Sequence, residues 1–290
     1  MYKINKVLFP LISVLCITAT EAEELGKISD LSSIINSFMN EDSKLKEKIN
    51  TAGKQRMLTQ EMTKLVLLID LDIKEKRNIN KLTKASKQYG ENLNTLQSDN
   101  EQITEQLQII KKLWNPFQSN IEKMIHKKEQ KEAVNYIISH NDKLLTVSNK
   151  LVNIYEKSDS SMNYLDKAKL YTVNLAGRQR MLLEKMSKEK ILSHGDQKEY
   201  IDKLKSSIDD FDLALEKLKN GDSKDKIQRV TNPKLIRKLD VIEKIWKELK
   251  PLYLKETLSK NEFSKLIHQS SLLRLESNIY VKLIELESEY

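Results

Sequence analysis

The chain has 290 residues and a net charge of +8, with charged residues making up 32% of it. Its one Cys, Cys16, excludes a disulfide framework, so stability must come from packing. Lys alternates with Glu and Asp, as on solvated helix faces, so the basic balance points to a mild preference for anions and not to a nucleic-acid partner.

Lys3 and Lys6 make a basic start, an apolar stretch runs from Val7 to Thr20, and Thr20-Glu21-Ala22 ends on a small-x-small pattern. Residues 1–22 therefore read as a secretory signal peptide. The stretch is short of the ~20 residues that a spanning helix needs. Cleavage after Ala22 would remove Cys16 and leave a periplasmic product. The best later apolar run, 65–73, is interrupted by Asp70 and Asp72, so no direct membrane span is expected after cleavage.

Only six Gly and four Pro offer places to turn, and apolar residues recur at three and four. This predicts an all-α protein. Helices are expected over 31–71, 81–96, 101–125 and 131–156, then over 160–192, 198–218, 233–253 and 260–288, with a polar seam at 156–161. The fold class is two tandem four-helix bundles, 23–158 and 159–290, packed through their first helices. Landmarks recur in step: Leu113-Trp114 before Pro116 matches Ile245-Trp246 before Pro251. His140 and His268 each precede a Leu-Leu pair by four residues. Both Trp belong in the cores.

The repeat is sharpest on the first helix of each bundle. Asn50-Thr-Ala-Gly-Lys-Gln-Arg-Met-Leu-Thr-Gln-Glu-Met-Thr-Lys64 returns 124 residues later as Asn174-Leu-Ala-Gly-Arg-Gln-Arg-Met-Leu-Leu-Glu-Lys-Met-Ser-Lys188. At about 100° per residue, Leu58, Met62, Leu65 and Ile69 form a core stripe. Ile49, Ala52, Gly53, Arg56 and Gln60 fall opposite, on a narrow face suited to close approach of another helix. In the second copy the stripe is clear at Leu182 and Met186 and blurs at Glu189 and Lys190. Gly inside a helix costs about 0.5–1 kcal/mol relative to Ala, so Gly53 and Gly177 need a reason. Absence of a side chain opens room beside Arg56 and Arg180. Guanidinium presents paired N–H donors that match a planar oxyanion or carboxylate. If the motif helices pack together, two Arg at ~6 Å repel by about 3 kcal/mol, and an anion between them removes that cost. Lys54 and Arg178 point away from them.

Other chemistry is set aside. The four His lack metal-ligand spacing; Glu122 and His126 miss the Glu-x-x-His pattern by one residue. There is no nucleophile triad or phosphate loop, so no enzyme, metal or cofactor is expected.

The phrase Asn-x-Ala-Gly-[Lys/Arg]-Gln-Arg-Met-Leu on the first helix of a bundle resembles the PilJ/NarX-like sensor domain, found in nitrate/nitrite sensor histidine kinases and some chemoreceptors. The resemblance covers nearly the whole chain after residue 22, in two copies. It implies an anion held between two first helices by the motif Arg and by backbone near the Gly. Carried over, the site is Arg56, Gly53, Asn50 and Ala52 with Arg180, Gly177, Asn174 and Ala176. One departure is Thr51, where nitrate-sensing kinases can carry Lys. The resemblance implies a periplasmic sensor of nitrate or nitrite that signals through a membrane histidine kinase or chemoreceptor. An organic carboxylate as ligand, or an exported structural protein whose Arg pair with acidic residues, are the alternatives.

Overall fold

The computed structural model describes residues 45, 47–158, 164–194 and 198–287, with the backbone alone at 164–166 and 286–287. The expected signal peptide lies outside them. Residues from Leu45 onward form one compact unit. Helix α1 occupies 47–70 in its described part. It is followed by α2 (Glu75–Thr95), α3 (Glu101–Ile125) and α4 (Gln130–Lys157). The second set is α5 (Tyr164–Leu192), α6 (Lys198–Asn220), α7 (Pro233–Leu254) and α8 (Lys260–Glu287). The protein is all-α, as two four-helix sets joined through their first helices.

Local chemistry accounts for the boundaries. Asn100 caps α3 by accepting from the Ile103 N–H at 3.2 Å, and Asn232 caps α7 by accepting from the Lys234 N–H at 2.8 Å, with Pro233 in the first turn. The α1–α2 and α3–α4 turns use the same device. Asp72 and Lys74 in one, and Lys127 and Glu129 in the other, take left-handed backbone conformations. Helix α2 starts at Glu75, six residues before the expected 81, because residues 75–80 are polar except for Ile79, and one apolar residue makes no period to reveal it.

The two sets bury matched cores. Leu58, Met62, Leu65 and Ile69 are all buried, as the helical period predicts. Tyr89 stacks on Trp114 with ring centroids 4.2 Å apart, and Phe211 packs on Trp246 at 4.3 Å. Both Trp are buried, as expected. The motif Gln fastens first helix to second in each set: Gln55 Nε2 donates to Tyr89 O at 2.9 Å, and Gln179 Nε2 to Phe211 O at 3.0 Å.

Helices α1 and α5 lie side by side and run the same way. Arg56 reaches Asn174 and, further along both helices, Lys64 reaches Glu184. Helix α5 is wedged between its own set and the first, since Lys188 also donates to Asn141 of α4 at 2.7 Å. That explains the blurred stripe: Glu189 and Lys190 are both buried. A helix covered on every side has no polar face left to alternate with an apolar one.

Cutting the core stripe tests this packing. Leu58→Ala should lower unfolding free energy by about 2–5 kcal/mol, while Leu213→Ala, 51% exposed, should change it by no more than about 0.5 kcal/mol. Urea titration followed by circular dichroism reads both.

Candidate anion site

Both motif Arg are sealed inside the α1–α5 interface: Arg56 is 4% exposed and Arg180 2%. Each guanidinium folds back over the Gly three residues before it on the same helix face. A Cβ at position 53 would sit 3.2 Å from Arg56 Nη2. One at position 177 would sit 3.2 Å from Arg180 Nη2 and 4.0 Å from Arg56 Nη2. The missing Cβ of Gly177 is thus the point on which both guanidinium groups converge. Ala52 and Ala176 are buried alongside, and their small side chains let the two backbones approach.

The hydrogen bonds cross between the copies. Arg56 Nη2 donates to Asn174 Oδ1 at 2.6 Å, and Arg180 Nη2 donates to Asn50 Oδ1 at 2.7 Å. Each motif Arg is therefore held by the motif Asn of the other repeat. Asn174 in turn donates to Glu156 Oε1 at 2.6 Å, and Asn50 interacts in the same way with Glu285. Glu156 and Glu285 stand at matching places near the ends of α4 and α8. One contact breaks the symmetry: Arg180 Nη1 also donates to Asn278 Oδ1 at 2.7 Å.

These partners leave much of the cationic hydrogen-bonding capacity unused. A guanidinium carries five N–H donors. The Nε of Arg56 and of Arg180 are both buried with no acceptor among the described residues, and neither group has a carboxylate within ion-pair distance there. Burial pushes the Arg56 pKa down to about 10, opposed by Glu156 and reinforced by repulsion from Arg180. Burial likewise pushes Arg180 down to about 10, opposed by Glu285 and reinforced by Arg274. Both remain charged at neutral pH. Burial also raises Glu156 and Glu285 above the usual carboxylate range.

One turn further along the same face the copies diverge. Gln60 is fully buried with both amide atoms unpartnered among the described residues. Its counterpart is Glu184, which is ion-paired with Lys64 and, at 2.8 Å, with Arg274 of α8. Arg274 also reaches Glu61 at 3.5 Å. This cluster ties α1, α5 and α8 together beside the Arg pair. Lys54 and Arg178 stay outside the site, as the helical geometry predicts; Arg178 pairs with Asp210 at 2.8 Å.

The sequence-predicted residues Asn50, Ala52, Gly53, Arg56, Asn174, Ala176, Gly177 and Arg180 thus lie together at one interface. Three neighbours escaped the sequence reading. Glu156 and Glu285 are matched across the repeats and were findable by extending the comparison beyond the motif. Asn278 was findable in the same way, since Ser148-Asn149 and Ser277-Asn278 match at the spacing that aligns the two Glu. His140 stacks on Tyr136 at 3.9 Å, a structural placement. Among the described residues no group of His, Cys, Asp or Glu is placed to hold a metal.

The fold and the duplicated motif define a tandem all-helical module with one motif Arg from each copy buried at the joint. The chain belongs to the PilJ family, described as "Type IV pili methyl-accepting chemotaxis transducer N-term", whose model matches residues 38–138 and 149–271. Each matched region contains one copy of the motif, and the family places the chain among signal-transduction sensors of the chemoreceptor type. Neither a curated protein nor a solved structure matches it.

Glu184 offers a pH test of the interface. The Lys64 and Arg274 charges hold its carboxyl below the usual range in spite of burial. A depressed folded-state value contributes stability that is present above the unfolded value, near pH 4.3, and lost as pH falls below it. Glu184→Gln should therefore cost about 3–5 kcal/mol at pH 7, and the gap to wild type should narrow as pH falls from 5 toward 3. Urea titrations across that range measure it.

Proposed function

We propose that this protein senses a small planar oxyanion, nitrate or nitrite, at the Arg56–Arg180 pair. The observation that carries the reading is a pair of buried guanidinium groups, one from each repeat, whose Nε–H donors find no acceptor and no contacting carboxylate among the described residues. An anion between them removes their mutual repulsion and accepts charge-assisted hydrogen bonds, each contributing about 1.5–3 kcal/mol. It takes the place of the Asn50 and Asn174 amide oxygens. Gly53 and Gly177 leave the room it needs, and Ala52 and Ala176 keep the helices close.

Displacing the two Asn loosens their hold on Glu156 and Glu285, so occupancy alters the ends of α4 and α8. A partner reads that change only if it binds the two states differently. The partner we propose is a membrane sensor kinase or chemoreceptor. The basic, apolar and small-residue pattern of residues 1–22 supports export to the periplasm, and among the described residues no helix is long and apolar enough to cross a membrane. One observation favours a purely structural role: the Arg–Asn–Glu chain from Arg56 through Asn174 to Glu156 itself links the two repeats.

Nitrate titration separates the two readings. Saturating nitrate should raise the melting temperature of the desalted protein by about 5 °C or more. Calorimetry should find one ligand per chain, and either Arg56→Ala or Arg180→Ala should abolish binding. If no member of an anion panel shifts the melting temperature, the structural role is the correct one. Unchanged binding in Arg56→Ala would rule out a shared site.

A further inference from the structure

Lys190 is a buried cation that the oxyanion site does not use. Its counterpart 124 residues earlier is Val66, a core residue of the first bundle. The second repeat therefore carries an ammonium where the first carries an isopropyl group. Lys190 is 8% exposed, and its Nζ donates to Lys255 O at the end of α7. That contact satisfies one of three N–H donors. No carboxylate lies within ion-pair distance of it among the described residues. Burial lowers its affinity for the proton. A largely buried ammonium with one neutral acceptor gains from a counter-ion placed against it.

The same residue lines a cleft of about 320 Å³ between the ends of α1 and α5 and the α7–α8 connection. Ile73, Ile191, Leu258 and Phe263 make its walls. These continue into a small apolar cluster of Leu67, Leu68 and Ile191 that is separate from the main core. Leu71 stands at the mouth, 52% exposed. The other lining residues are polar, with Ser193 and His194 beside Lys190 and with Glu256 and Lys260 at the connection. The volume is at the lower end of the range of small-molecule sites, which start at about 300 Å³. Of the charged lining residues, Glu256 is acidic and Lys260 basic, and Lys190 is the lining cation that is buried.

We propose that this cleft binds a small organic monocarboxylate with an apolar body, its carboxylate on Lys190 Nζ and its hydrocarbon part against Ile73, Ile191, Leu258 and Phe263. An inorganic oxyanion would satisfy the cation but leave those walls wet. A neutral amide would fill the walls but leave the cation without its counter-charge. The site is distinct from the Arg56–Arg180 pair and does not depend on what that pair binds.

Calorimetry on the whole protein, with phenylacetate and hexanoate as probes and phenylacetamide as the neutral control, tests the proposal. Both carboxylates should bind, with phenylacetamide weaker by about tenfold or more. Lys190→Met should weaken phenylacetate by at least about the same factor. Leu71→Trp, a surface change that blocks the mouth, should abolish binding with the fold intact by circular dichroism. Arg180→Ala should bind phenylacetate as wild type does, which separates this site from the oxyanion site. The proposal is overturned if neither carboxylate binds at millimolar concentration, if phenylacetamide binds equally well, or if Lys190→Met or Leu71→Trp binds as tightly as wild type.

Discussion

Two positive charges shut away from water at one helix–helix interface set the terms for the rest of this molecule. Removing a cation from water costs several kcal/mol unless something repays it, and placing a second beside it adds repulsion. Here the first acceptors are neutral amides, Asn50 and Asn174, with the carboxylates of Glu285 and Glu156 standing behind them. Such an arrangement holds the two Arg in place without neutralising them by direct contact. The interface can thereby form while leaving the cations free of direct carboxylate contact among the described residues, the property on which the proposed anion site rests. Direct Arg–carboxylate pairs would have made it a rigid and inert joint.

Tandem repetition gives the interface a freedom that a symmetric dimer lacks. Two copies of one chain must present the same residue to both sides of a two-fold axis. In this chain the copies agree at Asn, Ala, Gly, Gln and Arg, where they meet, and part company one turn further on. Gln60 faces no partner among the described residues, while Glu184 binds Lys64 and Arg274. Leu65 becomes Glu189 and Val66 becomes Lys190. The second bundle has thus gained buried charges beyond the shared motif, and these distinguish the far ends of the two halves.

The bundle was legible from the spacing of apolar residues, because α3, α4, α7 and α8 each present one solvated and one buried face. The expected limits agree with α3 as they stand and with α4, α6, α7 and α8 to within a few residues; the expected starts of α1 at 31 and α5 at 160 lie outside the described residues, and α2 begins earlier than expected. The Arg56–Arg180 face was legible for a different reason: a Gly in mid-helix costs stability, and its duplication marked the place where backbone and guanidinium must approach. What single-helix geometry does not contain is the partner of each Arg. The crossing of Arg56 to Asn174 and of Arg180 to Asn50 depends on the register between α1 and α5, which neither helix specifies alone. Asn278 lies outside the motif, on α8, and its match to Asn149 does not foretell the contact, because only Asn278 is bonded to a motif Arg. Burial of Glu189 and Lys190 was hidden because a helix covered all round loses the period that identifies its faces.

The most direct test observes the guanidinium groups themselves. Arginine side-chain NMR, with Arg56 and Arg180 assigned by substitution, follows each Nε–H during titration with nitrate. Both signals should move together and saturate at one equivalent of anion per chain, since the same ligand bridges both groups. Signals that stay still, or that saturate independently of one another, would contradict a single pocket shared by the two halves.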